Sequence, residues 1–225
     1  MVEWLRKKPL LHAMMIESIR RGSGERVKAL PDGVLVHDRA CGAQMVSAGS
    51  ARTADVLFDS LVPSDMLVTH DGYTRELALT RFPYKDHMVC VQAVYTKPAI
   101  ALLPADIRPL DARHFDSVRA QYGGVDDDGY VMERLNAGAI CGIFEDGALA
   151  GFMGTHREGS LGMLEILPKY RRRGLAEALE RHVVREHLAR GWTPFAQIEV
   201  GNFPSIALHE KLGFEVSDEP FDWFY

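Results

Sequence analysis

The residues with the clearest chemical potential lie between 161 and 176. An apolar run there ends at Pro168 and is followed by Arg171, Arg172, Arg173, Gly174, Leu175 and Ala176. A strand, a basic turn and the start of a helix, in that order, form an anion site. The first N–H groups of a helix have no internal acceptor and carry the positive end of its dipole. Gly174 and Ala176 are small where backbone must approach a ligand, and the three arginines add charge suited to a pyrophosphate or a 3′-phosphate. Like charges at a helix N-terminus oppose its dipole, so this run calls for an anion to offset it. Further along, Asn202, Ser205 and His209 stand at i, i+3 and i+7, the spacing of one helix face. Three groups able to take a proton, His156, Glu158 and Glu165, lie on or beside the strand that leads into the turn.

The elements that must position these residues are legible around them. Leu161 to Leu167 reads as the strand, and the helix after the turn runs to about Arg190, with Leu175, Leu179 and Val183 on one face and Gly191 at its end. Upstream, Asp111 to Tyr122 has helical spacing, Asp126 to Asp128 form a polar loop, and a short helix covers about Tyr130 to Asn136. Ala139 to Phe144 and Leu149 to Thr155 are strands joined at Asp146-Gly147, a strong hairpin signal. Downstream come a strand from Phe195 to Val200, a helix from Pro204 to Leu212 closed by Gly213, and an extended tail from Phe214. The order β-α-α-β-β-β-α-β-α-β predicts an α/β fold, an α+β mixed sheet with an antiparallel front and a parallel crossover.

The first hundred residues repeat this theme loosely. A helix from about Trp4 to Arg20 precedes strands near Val34 to His37 and Gln44 to Ala48, then a helix from Ala51 to Leu61. A strand from Met66 to His70, a helix to Arg81 and a strand ending at Tyr95 complete it. The turn His70-Asp71-Gly72 has one glycine and no basic run, so a duplicated half here has lost its phosphate turn. Residues 96–104 hold two prolines and no regular period, which places the boundary near residue 100, with halves at 1–99 and 105–225.

Composition narrows the classes of function. The chain has 225 residues, 47% hydrophobic and 25% charged, with a formal net charge of −5. That is an ordinary globular balance, and its acidity argues against nucleic-acid binding. Cys41, Cys90 and Cys141 are odd in number and lack a C-x-x-C pair, so neither a disulfide framework nor a metal site is expected. His12 and Glu17 interrupt the apolar residues near the N-terminus, and no run approaches a membrane span, so a cytoplasmic location away from membranes is expected.

The turn and the helix after it, taken together, resemble the acetyl-CoA-dependent N-acetyltransferases of the GNAT superfamily. That family's R/Q-x-x-G-x-G/A motif is matched by Arg171, Gly174 and Ala176, and its second motif by Asn202, Ser205, Leu208, His209, Leu212, Gly213 and Phe214. The resemblance covers about residues 105–225 and is nearest to the branch around glycine N-acyltransferase, in which a degenerate GNAT-like half precedes the active one. It implies a GNAT acyl-CoA N-acyltransferase fold in two tandem halves. It also implies Leu164, Glu165 and Ile166 beside the pantetheine and acetyl carbonyl, and residues 171–176 around the pyrophosphate. Asn202 and Ser205 would face the cofactor while Leu208 and Leu212 pack towards the sheet. Family members often carry tyrosine where this chain has His209, thought to protonate the departing thiolate, and histidine can donate a proton too.

The implied reaction is direct attack of a primary amine of a small molecule or amino-acid-like acceptor on acetyl-CoA in a ternary complex, without metal. Glu165 is the favoured base, with His156 and Glu158 as alternatives. A homodimer is compatible with the sequence. The competing expectation is a non-catalytic acyl-CoA-binding or regulatory module.

Overall fold

The computed structural model describes residues 3–123 and 128–225; Asp126 and Asp127 of the acidic loop fall outside them. The chain packs as two compact units, the first running to Val94 and taking back Gln197–Tyr225, the second covering Tyr95–Ala196. These units cut across the order of the sequence because the C-terminal strand completes the first one.

The first unit opens with a short 3-10 turn, Trp4–Lys7, followed by α1 (Ala13–Arg21). The single helix expected from Trp4 to Arg20 is broken at Lys8-Pro9, where proline cannot donate its backbone N–H and restricts the residue before it. Next come β1 (Gly24–Leu30), β2 (Gly33–Asp38), β3 (Gln44–Ala48), α2 (Ala51–Phe58), β4 (Leu67–Thr69), α3 (Gly72–Arg81) and β5 (His87–Val94). β1 escaped the sequence reading because its surface pattern is that of a polar edge, with Glu25, Arg26 and Val27 exposed. β2 and β3 pair antiparallel, and β3 and β4 parallel. Leu35, Val46, Leu57, Leu67 and Phe224 form a dry core with α2 and α3.

The starts of α2 and α3 each carry a carboxylate. Asp32 accepts from the hydroxyls of Ser50 (3.0 Å) and Thr53 (2.7 Å) at the head of α2. Asp71 caps α3 by accepting from the Thr74 N–H (2.9 Å) and also takes the Ala48 N–H (2.7 Å). These anions occupy the ground a phosphate would need.

The second unit contains β6 (Asp106–Pro109), α4 (Phe115–Arg119), α5 (Asp128–Asn136), β7 (Ile140–Glu145), β8 (Ala148–Thr155), β9 (Leu161–Ile166) and α6 (Leu175–Ala189). β6 through β9 form an antiparallel meander. The β7–β8 hairpin turns at Asp146 (φ 50°) and Gly147 (φ 78°), the left-handed pair that a tight hairpin requires. Val118, Tyr122, Val131 and Leu135 of the α4–α5 region pack with Phe152 and Met163 of the sheet. α6 packs on β7, β8 and β9 and buries Leu179 and Val184.

β10 (Phe195–Glu199) carries the chain back to the first unit, where α7 (Phe203–Leu212) and β11 (Glu215–Phe224) follow. β11 pairs antiparallel with β4 on one side and β5 on the other.

Candidate active site

In the second unit, β9 is irregular where the resemblance places the reacting carbonyl. Across from β8, Glu165 is opposite Phe152 and Gly162 is opposite Gly154, so β9 holds one extra residue between them. That residue pair is a β-bulge, and Met163 within it has φ of 53°, a strained value for a side chain that is only 3% exposed. A bulge turns backbone N–H groups out of the ladder. On its other side β9 pairs in parallel with β10 at a single register, Ala196 opposite Leu161, so among the described residues 162–166 leave that edge open. Leu164, Glu165 and Ile166 are all half-buried along it.

The turn after β9 is a 3-10 segment, Pro168–Tyr170, followed by two left-handed residues, Arg172 (φ 64°) and Gly174 (φ 79°). Gly174 is the N-cap of α6 and supplies no side chain to it. The N–H groups of Leu175, Ala176 and Glu177 therefore begin the helix without the carboxylate that caps α3, since the first intrahelical bond runs from Ala178 to the Gly174 carbonyl (3.1 Å). A Cβ built on Gly174 meets nothing within 4 Å, so the space above these donors is clear. Leu175 itself is buried and Ala176 half-buried, which leaves their backbones as the ligand-facing groups.

The three arginines divide. Arg171 donates through Nε to the Ile166 carbonyl (2.9 Å) and lies 4.0 Å from the Glu165 carboxylate. Arg173 pairs with Glu145 at 2.7 Å. Arg172 is exposed with no side-chain partner among the described residues. Part of the charge that seemed to require an external anion is thus met internally, and Arg172 with the helix N–H groups carries the remainder. The residues present fit a phosphate-bearing ligand: an uncapped helix start, a clear approach and an adjacent unpaired guanidinium.

A polar group beside β9 faces α5. Tyr130 and His156 share a hydrogen bond of 2.5 Å between the phenol oxygen and Nδ1. The imidazole Nε2 lies against Gly162, where an added Cβ would fall 2.3 Å from it. Glu158 is 8% exposed and accepts from the Ser160 hydroxyl. Burial, with Glu158 next in weight, pushes the Tyr130 phenol far above its ordinary range, and burial with Glu158 and Glu165 pushes Tyr122 up to about 12. Both phenols are therefore held protonated near two carboxylates. Burial also raises the Glu165 carboxyl, opposed by Arg171. Nothing local in the sequence marks Tyr130; the folded β8–β9 connection joins it to His156.

In the first unit, Asn202 caps α7 by accepting from the Ser205 N–H (3.3 Å). His209 donates through Nδ1 to the Ser205 carbonyl (2.8 Å), which can only accept, so that nitrogen bears the proton. The resemblance puts Leu208 and Leu212 against the sheet and Asn202 and Ser205 towards the cofactor. Leu212 (4% exposed) is buried and Leu208 half-buried, and His209 (5%) is buried as well, its ring edge-on to Phe214 at 4.8 Å. The i, i+4 bond to the Ser205 carbonyl satisfies one of the two ring nitrogens in this buried position. Asn202 is exposed and Ser205 half-buried.

Among the described residues no three or more His, Cys, Asp or Glu side chains are arranged to hold a metal ion. None of the helices described is long and apolar enough to cross a membrane.

Residues 138–222 match the FR47-like protein family. No curated protein sequence matches the chain. Among solved structures, a protein from Drosophila melanogaster is similar with a TM-score of 0.66 and 20% identity, covering 98% of this chain and 92% of that one. A GCN5-related N-acetyltransferase from Kribbella flavida is similar with a TM-score of 0.57 at 13% identity, covering 100% and 96%. An acetyltransferase of the GNAT family from Colwellia psychrerythraea gives 0.55 at 14%, covering 90% and 84%. At such identities the likeness is one of fold. The chain has the architecture of the GNAT acyl-CoA N-acyltransferases.

Proposed function

We propose that the protein transfers an acetyl group from acetyl-CoA to a primary amine of a small molecule or amino-acid-like acceptor. The observation that carries this reading is the open edge of β9, bulged at Met163, running directly into the uncapped head of α6. Bound acetyl-CoA supplies an acyl carbonyl already activated as a thioester. The N–H groups of residues 174–176 and the Arg172 guanidinium would hold its phosphates, and the open backbone of Leu164, Glu165 and Ile166 its amide-bearing arm. Backbone N–H groups turned out by the bulge are suited to a developing oxyanion, because they are fixed before reaction. An acceptor ammonium must lose a proton before it can attack, and His156, Glu158 and Glu165 are the groups placed for that task.

Acetyl-CoA incubated with a panel of primary amines, read by acceptor-dependent release of free thiol, tests the reading. Saturable CoA binding without thiol release for any amine would favour the acyl-CoA-binding module, which the burial of His209 also favours. No CoA binding at all would overturn both.

A further inference from the structure

We infer that His156 is the proton acceptor for the attacking amine and that Tyr130 positions it. This rests on the acyltransferase reading above and assigns the base within it.

Glu165, which the sequence favoured, stands beside a cation. It lies 4.0 Å from Arg171, whose guanidinium donates to the Ile166 carbonyl, so a proton arriving at Glu165 meets a like charge. Glu158 is buried and receives the Ser160 hydroxyl. His156 differs from both. Its side chain is half-buried and its Nδ1 is joined to Tyr130. Its Nε2 rests against Gly162, the residue immediately before the bulged Met163. Gly162 makes this approach feasible, since any Cβ there would occupy the position of Nε2.

A neutral Tyr130 phenol can donate to Nδ1 or accept from it, and the base role uses the second arrangement, with the proton on Nδ1. Nδ1–H donating to Tyr130 leaves the Nε2 lone pair towards β9. An ammonium brought there loses one proton to Nε2, and its freed lone pair forms the new C–N bond. The C–S bond of the thioester then breaks with its electron pair on sulfur, and the second proton of the acylated nitrogen passes to the thiolate, giving the amide and the free thiol. The imidazolium returns its proton to solvent.

The charged and titratable groups near His156 come from α5, the β8–β9 connection, the segment after α4 and β9. α5 supplies Tyr130 and the Glu133–Arg134 pair. The β8–β9 connection supplies Glu158 and Arg157, whose guanidinium is 5.1 Å from the Tyr130 ring centre and also bonds Glu133 at 3.1 Å. Tyr122 and Glu165 complete the surroundings.

The test uses the full chain with acetyl-CoA and whichever amine the wild type turns over. His156→Gln is expected to lower kcat/KM by roughly 10²-fold or more near neutral pH, with CoA affinity unchanged. The rate should recover towards wild type at alkaline pH, where the amine is already neutral, a response that a merely structural residue would not give. Tyr130→Phe should displace the acid limb of the pH profile. Gly162→Ala, which forces the ring away, should lower the rate in wild type and add nothing in the His156→Gln background. A folded, CoA-binding His156→Gln variant with a wild-type rate and acid limb overturns the assignment. So does a Gly162→Ala effect that is additive with His156→Gln. If the wild type itself releases no thiol with any amine, the acyltransferase reading fails instead, and the two failures are distinguishable.

Discussion

Replacing Gly174 by glutamate separates what a ligand needs from what the fold needs. Gly174 holds a left-handed backbone, and a Cβ added there touches nothing within 4 Å. The cost to the protein is therefore that of forcing an ordinary residue into this conformation, about 1–2 kcal/mol. For a domain of this size that lowers Tm by about 2–8 °C. The cost to a bound pyrophosphate is larger, because the new carboxylate stands over the same N–H groups at the head of α6. Losing two charge-assisted hydrogen bonds at about 1.5–3 kcal/mol each weakens binding by roughly 10²- to 10⁴-fold. Gly174→Ala is the control, with the same backbone cost and no charge, so it should match the Tm loss and keep far more affinity. Calorimetric titration with CoA, beside thermal unfolding of the same samples, reads both quantities. A folded Gly174→Glu variant that binds CoA within about threefold of wild type, a difference of only about 0.7 kcal/mol, would refute the placement of the phosphate site.

Arg172→Ala is expected to weaken CoA binding by about tenfold, the loss of roughly one charge-assisted contact at an exposed site, and Arg173→Ala by less, because Glu145 already holds Arg173 at 2.7 Å. Equal losses in the two titrations would count against this division of the arginines. His209→Ala removes a buried ring packed against Phe214 and should lower Tm; an unchanged Tm would contradict the inward placement of that side chain. Acid should weaken the first unit through two buried histidines. Burial lowers His12 from 6.5 to about 4 and His70 to about 3, so the unfolded chain takes up these protons first. The stability they contribute is present above pH 6.5 and is lost as pH falls towards 4, by about 2 kcal/mol each between pH 7 and pH 5. Urea midpoints at those two pH values check this, and a His12→Gln variant should show a smaller drop; identical midpoints in wild type would contradict it.

The candidate site was legible where function and local structure use the same residues. Gly174 reads as special because a turn into a helix needs small, left-handed residues, and that demand is local. The Asp146-Gly147 hairpin is legible for the same reason. The bulge at Met163 left no mark, since methionine in an apolar strand signals only a core, and its strained backbone is imposed by pairing with β8. Tyr130 and His156 are far apart in sequence and meet only once the β8–β9 connection is folded against α5. The inward turn of His209 depends on Phe214, beyond the end of its own helix. The extended tail from Phe214 was recognisable as a strand, but its neighbours were not. Partner choice belongs to tertiary pairing, and no local pattern in residues 215–224 names β4 or β5.

That tail also orders events in time. Because β11 lies between β4 and β5, the first unit lacks a central strand until residues 215–224 have left the ribosome. Tyr95–Ala196 emerges earlier and contains the whole β6–β9 meander with α6. The unit begun first is therefore finished last, and until then β4 and β5 expose ladder groups that another chain's strand could occupy. A stalled or shortened nascent chain ending before residue 215 should aggregate through those edges while its second unit is already folded.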